Sequence, residues 1–484
     1  MSQSKEYTQL VDLATEHSGD IDAIKSQLLP LIESMVQSSE NRVRHLTHAP
    51  DMSPTIMRLL SSLETDKNTL AYIIMWAEHQ LSYPLQDMVF TKSSFGRICK
   101  SANPKELALY PRIFILINRV VLELISQSDK LDLQQLIDNM STLIHRYEMA
   151  VDETCLTPLH HTALKIFNET SGLQLKKDNI FLQPISRYYS INGITQDDYI
   201  HYFFHLGTIL NQFNEHSQAI HAFYKGLVYP CINPTKTQVL ITKRLILTNL
   251  IEEGKFGNLP HYVGSGLLKA VNDDCKAYIE FKDTYEKLDR QAISNAFINS
   301  KATFEEDGNT DLAKKAINSI PKHMIKKLAS AFTRLPVTKL CSMIGLTDKN
   351  ITEFGAQIGL RSHHYTLDLV AQMIESGKLD AKVETIVDGN GKEQYNVLFN
   401  PPVPRNINSG NKSTLTDYFI KLESLRILKL QDHIQTSERL YKELESINTW
   451  LKLNDASFKK LREKNGETYD MESRYALMDE DDVY

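Results

Sequence analysis

Cysteine is scarce in this chain, and long apolar runs are missing. The five cysteines among 484 residues are far apart and odd in number. A disulfide framework needs paired cysteines, so we expect these five to be small core side chains in a reducing compartment. Met1 to Gly19 has no apolar core, and we expect no secretory leader. The most apolar stretch, Ile113 to Ile125, is broken by polar residues and falls short of the roughly 18 apolar residues of a membrane span, so we expect no membrane association.

An excess of positive charge is also missing. The chain has 54 Lys and Arg against 60 Asp and Glu, a net charge of −6, and its pI is about 6.3. This balance gives no sign of a surface for nucleic acid or anionic lipid. Hydrophobic residues make up 42% and charged residues 24% of the chain, values typical of soluble globular proteins. The length allows about three domains.

The sequence motifs of common catalytic sites do not occur in this chain. It has no G-x-x-x-x-G-K-[ST] phosphate loop, no G-x-G-x-x-G after a strand, no G-x-S-x-G nucleophile turn and no C-x-x-C pair. The scattered cysteines have no matched histidine that would activate a nucleophile. We therefore expect no catalytic residue, no cofactor site and a protein that is not an enzyme.

The histidines do not form a metal-binding pattern. His160-His161 and His363-His364 are adjacent pairs, which cannot both face one metal from a regular helix, and we expect them in solvent or loop positions. A pair four residues apart, at positions 201 and 205, has the spacing of a helical metal pair, but no acidic or Cys ligand stands beside it. The sequence therefore predicts no metal site.

The first 195 residues predict a series of helices with apolar positions three and four apart and short polar links. No strand pair is visible in this region. Many helices with short links and no long-range sheet are typical of a helical-repeat solenoid. The predicted helices span Asp20 to Val36, Asn68 to Leu81, Glu106 to Ile125, Leu131 to Tyr147 and Cys155 to Phe167.

Residues 196–335 predict further helical repeats, of which Tyr199 to Pro230 fits a helical hairpin of the tetratricopeptide type. Small residues stand where two antiparallel helices cross, and Phe203 and Phe223 are placed to fill the space beside them. The small residues are Gly207, Ala219 and Gly226. More helices are predicted at Pro234 to Glu253, Pro260 to Val271, Asp273 to Tyr285, Asp289 to Ile298 and Thr310 to Leu335.

Residues 336–400 predict a winged helix. Two short amphipathic helices, Val337 to Ile344 and Thr366 to Gly377, precede two alternating runs that flank Asp388-Gly389-Asn390-Gly391. Gly-containing dipeptides between alternating runs are a strong hairpin signal, because tight turns need positive φ. The predicted fold is therefore mainly α, with a helical-repeat solenoid followed by a winged helix and a C-terminal helix.

The charge of the winged helix favours protein contact over nucleic-acid binding. It carries six Lys and Arg against eight Asp and Glu, a net charge of about −2. A helix that enters a DNA groove gains most of its affinity from neutralised phosphates. We therefore predict that the second strand of the hairpin, with Tyr395, Val397 and Phe399, lies at an exposed edge that a neighbouring sheet extends.

Residues 401–413 are rich in Pro and Gly and predict a linker, and residues 414–454 return to helical periodicity. This amphipathic helix either folds back on its own solenoid or binds a partner, and its position after a linker favours a partner. Residues 455–484 predict a polar acidic tail. The apolar stripe of the helix consists of Leu415, Tyr418, Leu422, Leu425, Leu440, Leu444, Ile447 and Leu451.

Helical repeats that run directly into a winged helix resemble the PCI domain, and within that group the chain resembles the family of the third subunit of the COP-nine signalosome. The likeness covers Tyr199 to Phe399 and fades on both sides. Two departures are an insertion, Asp348 to Tyr365, and a long C-terminal extension. The residues that carry the likeness are Gln218-Ala219-Ile220 to Pro230, Gly254-Lys255, Leu259-Pro260-His261-Tyr262 and Met373-Ile374-Glu375-Ser376-Gly377-Lys378-Leu379.

The resemblance implies a non-catalytic scaffold subunit of the signalosome, which deneddylates cullins and so regulates cullin-RING ubiquitin ligases. The partners it implies are other PCI subunits and metalloisopeptidase-type subunits, with cullin-RING ligases reached indirectly, in the cytoplasm and nucleus. The metalloisopeptidase needs a His-x-His zinc pair, and this chain has none. The alternatives are a PCI subunit of the proteasome lid or of a translation-initiation complex. A winged-helix nucleic-acid-binding protein is disfavoured by the charge.

Overall fold

The computed structural model describes residues 2–17, 20–35, 53–82, 88–127, 132–170, 179–185, 194–229, 231, 234–257, 259, 263–346, 362–387, 393–399, 437 and 439. The chain divides into two compact units. The first contains Met1–Asp198 and Asp417–Tyr484, and the second contains Tyr199–Thr416. The predicted domain boundaries at residues 195, 335, 400, 413 and 454 remain predictions.

In its described part the first unit is helical, as the sequence predicts. Helix α4 packs against α7, while α5 and α6 pack against α8. Aromatic side chains fill the space between them, and Trp76 stacks on Phe95 with ring centroids 6.0 Å apart. The helices are α1 Ser2–Glu16, α2 at residues 21–35, α3 Ser53–Ser62, α4 Thr69–Ser82, α5 Met88–Ser101, α6 Pro104–Leu109, α7 Ile113–Gln127, α8 Leu133–Val151 and α9 Pro158–Glu169.

The single helix predicted at Glu106 to Ile125 is wrong, because two helices occupy this stretch. Helix α6 ends before Tyr110, whose ψ of 73° is not helical, and α7 begins at Ile113. Pro111 explains the break, since proline lacks a backbone N–H and disfavours helical geometry in the residue before it. The break separates the short α6 from the more apolar α7.

The second unit begins with helical repeats. Helices α11 and α12 pack together, and α12 also packs against α14 and α16. A Pro inside α16, Pro321, does not end that helix. The helices are α10 Gln196–Gln212, α11 His216–Val228, α12 Lys236–Glu252, α13 Ser265–Asp274, α14 Lys276–Glu286, α15 Arg290–Glu306 and α16 Thr310–Ala331.

A polar network ties α12, α14 and the turn between α15 and α16 together. The Lys243 ammonium donates to both Asp307 oxygens, at 2.9 and 2.8 Å, and Tyr278 donates to the same carboxylate at 2.8 Å. Asn309 donates to the Tyr278 hydroxyl at 2.9 Å and accepts from Arg244 at 3.1 Å. Because each of these polar groups has a partner, the network fixes how the repeats stack without the full cost of a buried unpaired charge.

The winged helix follows α16. Its elements are β1 Arg334–Pro336, α17 Val337–Ile344, α18 Ser362–Glu375, β2 Ala381–Val387 and β3 Glu393–Phe399. Helix α17 ends at Gly345, whose φ of 72° is the left-handed geometry that glycine adopts without strain. Leu340, Val370, Val397 and Phe399 belong to the one apolar core beneath the sheet. The predicted helices and hairpin are confirmed, and β1 is an additional strand.

Candidate protein-interaction surfaces

The sheet of the winged helix has the order β1-β3-β2, so β3 is the middle strand. This corrects the prediction that Tyr395, Val397 and Phe399 lie at an exposed edge. Val397 is 0% exposed and Phe399 is 1% exposed, while Tyr395 packs half-buried against the same core. The physical reason is β1, which pairs with β3 on the side away from β2. An adjoining sheet therefore cannot extend β3.

The free edge belongs to β2. Within the described residues β2 pairs only with β3, whereas β1 is three residues long and ends in Pro336, which has no N–H to donate. A seven-residue strand with one unpaired side presents a row of backbone donors and acceptors to another strand. The first strand of the hairpin, β2, therefore has the geometry to pair with a strand of a neighbouring sheet, which the sequence predicted for the second strand, β3.

The hydrogen bonds of β3 show which β2 amides point outward. The Phe399 amide donates to the Thr333 carbonyl at 2.9 Å, toward β1. Because backbone groups of an antiparallel strand alternate sides, Leu398 and Asn396 face β2, and Phe399 and Val397 face β1. Their β2 partners follow the register, in which Ala381, Val383 and Thr385 stand opposite Phe399, Val397 and Tyr395. These three β2 residues therefore direct their backbone groups to the free edge.

The two outer strands are joined across the face of β3 that lies away from the core. Arg334 of β1 donates to Glu384 of β2 at 3.1 Å, and the two side chains are 49% and 35% exposed. An ion pair at this exposure adds little to stability. Its position spans the middle strand and leaves the unpaired side of β2 uncovered.

Two contacts anchor the winged helix to the repeats of the same unit. Lys378, which follows α18, contacts both carboxylate oxygens of Glu252 at 2.7 Å. Arg290 at the start of α15 donates to the Gly345 carbonyl at 2.7 Å. One contact follows the first helix of the winged helix and the other follows its second helix, so the winged helix is attached to the repeats at two separate points. Lys378 belongs to one stretch that carries the family likeness, Met373 to Leu379, and Glu252 lies two residues before another, Gly254-Lys255.

The predicted solvent or loop position of His160-His161 is wrong. His160 lies in the first turn of α9 and is 0% exposed, and its Nδ1 accepts from the Thr157 amide at 3.1 Å. Burial lowers the pKa of His160 to about 3. Its neighbour His161 lies 3.5 Å from the Asp198 carboxylate. His160 thus completes the N-terminal capping box of α9, a position usually held by Glu or Gln.

The pair at positions 201 and 205 lies on α10. The His201 ring is within hydrogen-bond distance of the Thr237 hydroxyl, at 3.0 Å, and the two imidazole centroids are 6.5 Å apart. His205 is 7% exposed. Among the described residues, no three side chains of the types His, Cys, Asp and Glu are grouped as metal ligands would be. The contact with Thr237 gives His201 a structural role between α10 and α12.

The predicted C-terminal interface helix lies outside the described residues. This applies to Leu415, Tyr418, Leu422, Leu425, Leu440, Leu444, Ile447 and Leu451. The predicted insertion between the winged-helix helices also falls outside them for the most part, at 347–361. None of the helices in the described ranges combines the length and the apolarity that a membrane crossing requires.

Comparison with known proteins places the helical repeats in one family. Residues 25–266 match the family model for COP9 signalosome complex subunit 3, N-terminal helical repeats. A protein of that name in Dictyostelium discoideum is 24% identical over 306 residues, 60% of this chain and 65% of its own length. The Arabidopsis thaliana protein of that name is 23% identical over 241 residues, which is 49% of this chain and 51% of its own length. The Emericella nidulans protein of that name is 24% identical over 166 residues, which is 34% of this chain and 34% of its own length. The chain thus spans less than two thirds of each of these relatives.

Proposed function

The chain belongs to the family of COP9 signalosome complex subunit 3, N-terminal helical repeats, and from this premise we propose that it is a non-catalytic scaffold subunit of a COP9 signalosome. Its task is to hold other subunits in place through two separate surfaces. One is the β2 edge of the winged helix, and the other is the C-terminal amphipathic helix. The observation that carries the proposal is the family match over the repeats, joined to a winged helix whose longer edge strand, β2, has no strand partner on its outer side among the described residues.

The β2 edge supports a joint with a neighbouring PCI subunit. Ala381, Val383 and Thr385 direct backbone groups outward, so a partner strand gains several hydrogen bonds without disturbing the existing sheet. The Lys378 and Arg290 contacts attach the winged helix that carries this edge to the repeats at two points. A fixed edge loses little conformational freedom on binding, which favours assembly in one geometry.

The C-terminal helix is the second proposed contact. Residues 414–454 follow a breaker-rich linker and carry one apolar stripe from Leu415 to Leu451. An isolated amphipathic helix is marginally stable in water and gains stability by burying its stripe against other helices. We propose that it joins a bundle with the corresponding helices of other subunits, among them metalloisopeptidase-type subunits.

The chemistry of deneddylation belongs to another subunit in this proposal. The chain has no His-x-His zinc pair, and it acts on cullin-RING ligases only through the complex that it holds together. The complex would work in the cytoplasm and nucleus. PCI subunits of the proteasome lid and of a translation-initiation complex share the predicted architecture, and the family match favours the signalosome over both.

Depletion and rescue test this function directly. Cells that lack the chain should accumulate cullin carrying the ubiquitin-like modifier Nedd, because the assembled isopeptidase is lost. Reintroducing the full chain should restore the unmodified form, as measured by immunoblotting of cullins. An unchanged modified fraction in depleted cells would rule out a signalosome role, whereas accumulation of polyubiquitinated substrates alone would favour the proteasome lid.

A further inference from the structure

Several lysines converge where the helical repeats meet the winged helix. Lys315 and Lys322 lie on α16, and Lys378 follows α18. Lys315 donates to the Asn211 carbonyl at 3.3 Å and to Asn214 Oδ1 at 3.1 Å. We call these three residues, Lys315, Lys322 and Lys378, the lysine cluster. All of its members belong to the second unit.

The lysine cluster has more positive than negative charge. The acidic group that acts on Lys322 and on the nearby His216 is Glu252, and both oxygens of that carboxylate already contact Lys378. Asp311, one turn before Lys315 on α16, pairs with Lys314. Lys315 is bonded to neutral acceptors. Lys322 is exposed and forms no hydrogen bond or ion pair with any residue that the structure describes. Lys314 and Asp311 offset each other, so the three lysines of the cluster against Glu252 leave a net charge of about +2, in a chain whose total is −6.

The cations are close enough to act on one another. Neighbouring protein atoms partly desolvate the Lys322 ammonium, and this effect, followed by the Lys378 ammonium, lowers the pKa of Lys322. Burial followed by the Lys315 ammonium lowers the pKa of His216, at the start of α11, and Lys378 and Lys322 contribute in the same direction. Like charges held this near repel each other. A bound anion would relieve that repulsion.

The spacing of the lysines indicates the shape of the anion. Lys315 and Lys322 are seven residues apart on α16, which is two helical turns and about 10 Å along one face. Two anionic groups at a similar spacing can each meet one ammonium group, whereas a single phosphate would have to draw both side chains together. On a polyproline II segment, which makes one turn every three residues with a rise of about 3.1 Å per residue, carboxylates three residues apart lie on one face about 9 Å apart. Duplex nucleic acid is a poorer match, since its affinity rises with the number of phosphates neutralised and the cluster supplies only three cations.

We propose that the lysine cluster binds an extended acidic segment of a partner protein, with carboxylates about three residues apart. The segment lies along α16 and places one carboxylate at Lys315 and another at Lys322, beside the existing pair of Lys378 and Glu252. The lysines of this surface belong neither to β2 nor to residues 414–454. The partner is therefore one that the assembled scaffold can bind in addition to its neighbouring subunits.

Fluorescence anisotropy with the full-length protein tests the proposal. The probe is a rhodamine-labelled peptide with Glu at every third position and Gly between, and the same peptide with Gln in place of Glu is the control ligand. In low salt, about 50 mM, Lys315→Gln combined with Lys322→Gln should weaken binding about tenfold or more. A matched double variant, Lys301→Gln with Lys314→Gln, removes the same charge from exposed lysines paired to Glu305 and Asp311. The affinity of this control variant for the Glu peptide should stay within about twofold of the wild-type value.

Three results would overturn the proposal. The wild-type protein could fail to distinguish the Glu peptide from the Gln peptide. Both double variants could weaken binding equally, which would mean a general charge effect instead of a site. Inorganic polyphosphate or a single-stranded oligonucleotide could bind more tightly than the peptide with the same dependence on Lys315 and Lys322, which would assign the cluster to a phosphate polymer.

Discussion

The phenyl ring of Phe223 lies directly over the backbone of Gly207, at the crossing of α10 and α11. A Cβ atom built on Gly207 would be 2.5 Å from Phe223 Cε1, and the ring itself is 0% exposed. The same relationship recurs at Gly226, where a Cβ atom would lie 2.9 Å from the Ile241 side chain. Glycine therefore occurs at both positions because a larger residue would separate the helices.

Gly207→Ala should destabilise the second unit by about 1 to 3 kcal/mol, because the buried Phe223 ring has no room to move away. Gly96→Ala is the matched control. Gly96 lies inside α5 with its nearest neighbour, Asn139 Nδ2, at an ordinary 3.8 Å. At Gly96 the change to alanine should raise the free energy of unfolding by about 0.5 to 1 kcal/mol, since alanine favours helices. Urea unfolding followed by circular dichroism measures both.

A second variant separates the clash at Gly207 from helix propensity. Phe223→Ala alone should cost about 3 to 5 kcal/mol, as truncations of buried aromatic residues do. In that background Gly207→Ala should no longer destabilise, because the ring is gone. If Gly207→Ala still lowers the stability in the Phe223→Ala background, the destabilisation does not come from the contact with Phe223.

His160 predicts a loss of stability in acid. Its pKa in the folded protein is lowered to about 3 by burial, against about 6.5 in the unfolded chain. Between these values the unfolded state binds more protons, so stability is full above pH 6.5 and falls as the pH falls. The loss from this group should be about 2 kcal/mol by pH 5.

His160→Gln is the variant that isolates this loss. Glutamine suits the third helical position of a capping box and does not titrate, so the cap at Thr157 is retained. The difference in unfolding free energy between pH 7 and pH 5 should be about 2 kcal/mol smaller in the variant than in wild type. Parallel pH dependence in the two proteins would mean that His160 is not buried in its neutral form.

The β2 edge is tested at Thr385, whose side chain is exposed and whose amide faces away from β3. Thr385→Pro removes that outward donor and leaves the pairing with β3 intact. We expect co-purification of the PCI neighbour to fall about fivefold, with unchanged helical circular dichroism. Thr385→Ala keeps the amide and should assemble like wild type. Equal assembly of the Pro and Ala variants would exclude β2 as the joint.

A truncation after Asn408 tests the C-terminal helix, because it removes the apolar stripe and leaves the repeats and winged helix in place. We expect the truncated chain to fold, to retain its PCI neighbour and to enter the full complex poorly, with less deneddylation in cells. Deletion of residues 455–484 should have a much smaller effect, since that segment has few apolar residues to bury. Full activity of the longer truncation would contradict the role given to Leu415 to Leu451.

The parts of the fold that could be predicted from the sequence are those set by local spacing. Gly207 and Phe223 stand at the intervals at which two antiparallel helices meet, and the hairpin follows from the glycines between two alternating runs. The helix break at Pro111 could also be predicted, since proline disfavours helical geometry in the residue before it. The apolar periodicity on both sides of Pro111 led to the wrong prediction of one continuous helix.

The parts that could not be predicted depend on contacts between distant residues. Strand β1 has three residues, too few for a periodic pattern, and it pairs with residues about sixty positions later. Missing β1 placed β3 at the edge of the sheet, although the burial of Val397 and Phe399 follows once β1 is present. In the same way, the burial of His160 depends on the packing around α9. No signal adjacent to His160 in the sequence indicates it.

Affinity purification of the full-length chain from cells of its own organism, followed by quantitative mass spectrometry, tests the central claim most directly. We predict that metalloisopeptidase-type and PCI subunits are recovered in near-equal amounts with the chain, and that cullins are enriched with them. Thr385→Pro should reduce this recovery and Thr385→Ala should not. Recovery of proteasomal ATPases or translation-initiation factors in place of the metalloisopeptidase would contradict the assignment of this chain as a signalosome scaffold.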